Sequence, residues 1–145
     1  MNVEQQLNEL FTRYIKGFND YNMQIVLSCY HLPCALHTSE KIAYLTNEAQ
    51  FEQEFIDIFT MLQHANIAKI TASNASYQYC QSNALDVCID WLFYDNNGEL
   101  FTDFTAFYHI ASDATDNSGD IGKIVSVVSH VIENSVELAQ PFKIA

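Results

Sequence analysis

Tyr14, His37 and His130 are the side chains here best suited to acid–base or electrophilic work. A tyrosine on the apolar side of a helix can donate a hydrogen bond to a ligand carbonyl or a developing oxyanion. It can equally be a core residue whose hydroxyl is satisfied by backbone or water. Imidazole is the side chain whose chemistry suits acid or base work near neutral pH. His37 adjoins Thr38 on a short predicted strand, and His130 ends an apolar stretch, Ile124 to Ile132, that leaves its facing open. No serine or cysteine nucleophile arrangement accompanies them. The five histidines have neither i, i+4 nor HxH spacing, so no metal site is expected. Cys29, Cys34, Cys80 and Cys88 include no CxxC pair and read as reduced packing thiols rather than zinc ligands. No motif names a reaction, and no cofactor is expected.

Charge narrows the partners. The 145 residues carry 6 Lys plus Arg against 18 Asp plus Glu, a formal net charge of -12. Phosphate binding needs clustered cations, and only Arg13 and Lys16 lie close together, so nucleic acid and anionic membrane are excluded as expected partners. The start Met1–Gln6 lacks the basic and apolar parts of a signal peptide, and no apolar run approaches the ~20 residues of a membrane span. A cytoplasmic protein is expected, one domain over 1–145 with an ordered core of about 3–134 and a tail over 135–145.

The elements that must position these groups follow from periodicity. Val3, Leu7, Leu10, Phe11, Tyr14, Ile15 and Phe18 recur in steps of three and four, one face of a helix. Asp20 is suited to cap a second short helix with Met23, Val26, Leu27 and Tyr30. Pro33 stops it, and 34–38 and 41–46 read as two short strands turning at Ser39-Glu40. Asn47 and Gln50 form a variant capping box before a helix carrying Phe51, Phe55, Ile58, Phe59 and Leu62. From Ile67 the period becomes two, giving strands near 67–80, 83–95, 100–112 and 121–133, with a polar loop at 113–120 and Pro141 ending the order. Helices followed by a run of long strands make an α+β class, with a curved antiparallel sheet covered on one face.

Asn97-Gly98 signals a two-residue hairpin turn and so predicts a register. Asn96 then faces Glu99, and Leu85, Val87, Ile89, Trp91 and Phe93 face Ile110, Tyr108, Ala106, Phe104 and Thr102. Partners share a face, so these ten form a charge-free inner face. Trp91 and Tyr108, with Tyr14, Phe18 and Phe55, would line an aromatic pocket for a small apolar or aromatic ligand, or simply fill a core. The other face pairs Tyr94 with Phe101, Leu92 with Asp103, Cys88 with Phe107 and Asp86 with His109. Leu92, Tyr94, Phe101 and Phe107 there predict a homodimer interface. Asp86 and His109 read as a surface or interface ion pair rather than a catalytic dyad.

Several segments resemble the NTF2-like superfamily, which includes nuclear transport factor 2, ketosteroid isomerase, scytalone dehydratase and SnoaL-like cyclases. They are Phe11–Asp20, Tyr30–Leu36, the Phe51/Phe55/Phe59 helix, Asp90–Gly98 and Gly122–His130. The resemblance covers about residues 3 to 134 and implies a cone with three helices on the concave face of the sheet, a pocket between the layers and dimers through the outer face. Against ketosteroid isomerase, the oxyanion-binding tyrosine aligns with Tyr14, but the general-base aspartate aligns with Thr38. Threonine cannot take a carbon-bound proton at neutral pH, which argues against that chemistry. The leading expectation is a ligand-binding protein. The alternatives are a SnoaL-like isomerase, dehydratase or cyclase using Tyr14 with His37 or His130, and a dimeric protein-binding adaptor.

Overall fold

The structure, a computed structural model, describes residues 1–113 and 118–145; part of the predicted 113–120 loop lies outside them. Helix α1 (Val3–Asn19) starts at Asn2, whose side chain accepts the Gln5 N–H while Gln5 reaches back to the Asn2 N–H. Together these satisfy two donors that a helix start leaves open. Asp20 closes α1, with its carboxylate on Lys16; the cap of α2 (Met23–Leu27) is Asn22, not Asp20. The two helices approach so closely at Gly17 that an added Cβ would lie 2.7 Å from the Val26 side chain. Tyr30 belongs to strand β1 (Tyr30–His37) rather than to the preceding helix, and Pro33 sits inside that strand where its pairing is irregular. Strand β2 (Ile42–Leu45) follows, then α3 (Glu48–His64). Asn47 caps α3, and the Gln50 side chain reaches past it to the N–H and hydroxyl of Thr46.

The remaining strands are β3 (Ile67–Gln81), β4 (Ala84–Asp95), β5 (Leu100–Ala111), β6 (Lys123–His130) and β7 (Gln140–Pro141). The sheet runs β2-β1-β6-β5-β4-β3-β7, curved and unclosed. It is antiparallel except that β1 lies parallel to β6, which the long intervening chain permits. The apolar stripes of α1 and α3 pack on the concave face, where Phe11 meets Tyr108 edge-on and Tyr14 stacks on Trp91.

The hairpin differs from the predicted two-residue turn, yet the register holds. Gly98, at φ +78, donates to the Asp95 carbonyl, and Asp95 pairs with Glu99 around a three-residue loop. Beyond it Tyr94 pairs with Leu100 and Phe93 with Thr102, so Phe101 is an extra residue in β5. One additional loop residue and one bulge cancel, and Trp91 still faces Phe104. Leu85, Val87, Ile89, Trp91, Ala106, Tyr108 and Ile110 are buried together, and Phe104 is half-buried.

The C-terminal segment corrects the expectation that order ends at Pro141. Strand β7 pairs with β3, Phe142 donates to the Ala75 carbonyl, and its ring packs against Phe11 and Tyr77. Residues 135–141 lie against the outer sheet face, where Leu138 donates to the Ser76 hydroxyl. This cover explains why Asp90, an outer-face residue by register, is only 5% exposed. Among the described residues no helix is long and apolar enough to cross a membrane.

Candidate functional site

A cavity of about 470 Å³ opens between α3, the end of α1 and the concave face. That is within the range of small-molecule pockets. Tyr14, Phe18, Phe55, Trp91 and Tyr108, the five residues predicted to line a pocket, all border it. Helical spacing puts Tyr14 and Phe18 on one side of α1, while strand alternation points Trp91 and Tyr108 up from β4 and β5. Phe51 stacks on Phe55, Phe18 meets Phe55 and Phe59 edge-on, and Tyr30 meets Phe55.

The polar groups at its floor form a directed chain. The Trp91 indole Nε1 donates to the Tyr108 hydroxyl at 2.8 Å, and the Tyr108 and Tyr14 hydroxyls are 3.2 Å apart. Indole nitrogen can only donate, so Tyr108 accepts from Trp91, and the Tyr108 hydroxyl in turn donates to Tyr14. Burial raises the Tyr14 hydroxyl above the ordinary tyrosine value, and hydrogen bonds from Tyr108 and Tyr30 pull against this without cancelling it. Burial also pushes Tyr30 and Tyr108 well above that value. All three are neutral donors at physiological pH.

The mouth is polar. His37, Thr38, Glu40, Lys41, Glu54 and Asp57 border it. Lys41 binds Glu54 at 2.8 Å. The Thr38 hydroxyl accepts the N–H groups of Glu40 and Lys41, which makes it a turn-closing group. Two of these carboxylates, Glu54 and Asp57, come from α3, while the inner face of the hairpin, read as charge-free, supplies none.

The other candidates separate. His130 pairs with Thr105 on the outer face and packs against Phe107, so it does not share the cavity with Tyr14. The proposed pairing of Tyr14 with His130 fails for that reason. Phe101, expected on the outer face, is displaced by the bulge and borders the cavity mouth. Leu92, Tyr94 and Phe107 are half-buried. Cys29, Cys34 and Cys88 are buried thiols, and burial pushes Cys34 up to about 11, which makes it inert. Cys80 is exposed, and sequence spacing missed what surrounds it: Asp86 and His109 approach it across three strands. The strand register was the available signal, since it already paired Asp86 with His109.

The model of the family described as NTF2-like protein (DUF6841) matches residues 4–130. The chain belongs to this NTF2-like family. Similar solved structures include a Nostoc punctiforme protein of unknown function with a cystatin-like fold, at 14% identity and TM-score 0.70, covering 93% of this chain and 98% of that one. A nuclear transport factor 2-like superfamily protein of Salmonella enterica serovar Typhimurium is similar at 15% identity and TM-score 0.64, with 89% and 90% covered. An NTF-2 like protein of unknown function from Shewanella oneidensis is similar at 8% identity and TM-score 0.66, with 86% and 96% covered. A comparison with curated proteins finds no match. At such identities the likeness shows the fold alone, and function must be argued from the site.

Proposed function

We propose that this NTF2-like protein binds a small, mostly apolar molecule carrying one hydrogen-bond acceptor, of the aromatic ketone type. The observation that carries this reading is the direction of the Trp91–Tyr108–Tyr14 chain. Tyr14 receives hydrogen bonds at its oxygen and keeps its own proton to give. An aromatic-lined cavity supplies the apolar contact, and one oriented donor at its floor supplies orientation.

Trp91 is the chain's one tryptophan and borders the cavity, so its fluorescence reports occupancy directly. Titration with 2-acetylnaphthalene should bind tighter than 2-ethylnaphthalene, its hydrocarbon match in shape. Tyr14→Phe should weaken the ketone by about 1–2 kcal/mol, roughly five- to thirtyfold, and leave the hydrocarbon unchanged. Equal binding of the two compounds to the native chain, or no binding of either, refutes the reading.

Catalysis is the second reading, favoured by one observation: His37 borders the same cavity as Tyr14. Exchange of the ketone's α-protons for deuterium, lost in both Tyr14→Phe and His37→Ala, would support it. Binding without exchange leaves the protein a binder.

A further inference from the structure

On the opposite face of the sheet, three different metal-ligating side chains converge. Cys80 comes from β3, Asp86 from β4 and His109 from β5. Their ligand atoms all lie within 4.8 Å of one another. His109 Nδ1 is 3.0 Å from Asp86 Oδ1 and 4.0 Å from Cys80 Sγ. Two features of the sheet create the meeting. Asp86 and His109 are direct cross-strand partners. Cys80 is the extra residue in β3 between the pairs Tyr79–Leu85 and Gln81–Ala84, and such a bulge re-aims a side chain.

The geometry discriminates between two uses of this trio. A Cys-His-Asp relay needs the thiol on one imidazole nitrogen and the carboxylate on the other. Here both neighbours face Nδ1, so the histidine cannot pass a proton between them. Convergence of S, N and O on one point is what a cation requires. Tetrahedral zinc bonds of ~2.0–2.3 Å place ligand atoms roughly 3.3–3.6 Å apart, and the observed 3.0 and 4.0 Å bracket that spacing. We infer that Cys80, Asp86 and His109 bind a borderline divalent transition metal, zinc by donor set, in a three-ligand site with a position open to solvent. A mixed thiolate, imidazole and carboxylate set disfavours magnesium and calcium, which take oxygen ligands. Binding displaces the Cys80 thiol proton to solvent and the proton on His109 Nδ1 that faces Asp86 to solvent or to Nε2, so that the thiolate sulfur, Nδ1 and a carboxylate oxygen each bond the metal. The net charge of -12 attracts the cation.

Cobalt(II) tests this without any assumption about activity. Added to the reduced native chain, it should bind one to one and show a thiolate-to-cobalt charge-transfer band that zinc abolishes by displacement. Cys80→Ser should remove the band. Asp86→Asn and His109→Gln should weaken binding at least roughly 10–100-fold, the loss typical even of outer-shell partners. His64→Ala, at the exposed end of α3, should leave affinity unchanged. A readout on the native chain guards against misfolded variants: zinc should slow alkylation of Cys80 by iodoacetamide, located by peptide mass. Absence of stoichiometric binding, a charge-transfer band that survives in Cys80→Ser, or unslowed alkylation under saturating zinc each overturn the site. The cavity ligand is not involved, so either proposal can fail alone.

Discussion

Tyr14, Tyr30 and Tyr108 bury three phenols beside one another under α1, and this sets how the protein responds to alkali. Each has a folded value above the ordinary ~10 of tyrosine, so its contribution to stability is complete below pH ~10 and is lost as pH rises through the folded values. Tyrosinate absorbance from the buried three should appear only with loss of far-ultraviolet dichroism. Ionisation of these three near pH ~10 in a still-folded chain would show that the floor of the cavity is open to water.

The C-terminal segment contributes more than a two-residue strand suggests. β7 covers part of the β3 edge, Phe142 fills the gap between Phe11 and Tyr77, and residues 135–141 shield Asp90. Asp90 accepts from Asn74 at 3.2 Å through one oxygen, while the other is buried with no partner among the described residues. Phe142→Ala should cost about 3–5 kcal/mol in urea unfolding, as for a large core aromatic. A loss below ~1 kcal/mol would mean that the segment rests on the sheet without packing into it. Gly17 acts likewise between α1 and α2, since a methyl group there meets Val26 before any solvent.

For the whole molecule, the open question is what meets the rest of the outer face. The tail occupies one part, and Leu92, Tyr94 and Phe107 form the half-buried apolar strip that remains. We propose that two copies pair through that strip, which is narrower than the sequence implied because Phe101 has left it. A stable dimer buries ~1,600 Å² in total, so flanking polar surface must contribute. Charges of -12 on each copy oppose pairing, and screening over ~8 Å at physiological salt weakens that repulsion. Sedimentation at micromolar concentration should give a dimer that tightens with salt, and Phe107→Glu should give a monomer. A native monomer under the same conditions refutes the pairing.

Helix stripes, strand alternation and the inner-face register were readable from residue types, because period and burial are local consequences of backbone geometry. Five of the aromatic residues around the cavity, Tyr14, Phe18, Phe55, Trp91 and Tyr108, followed from that register together with the stripes of the first and third helices. Three matters needed the tertiary structure. His130 could not be assigned a face while its strand was apolar on both sides; pairing with Thr105 decided it. The docking of 135–145 rests on an edge strand and a hydrophobic gap formed by residues more than sixty positions away. The Cys80–Asp86–His109 cluster depends on a one-residue bulge and two hairpins, so no linear spacing of cysteines and histidines could have disclosed it. Sequence determines which side chains share a face, whereas the ångström-level convergence that makes a site is set by bulges, strand twist and the packing of distant segments.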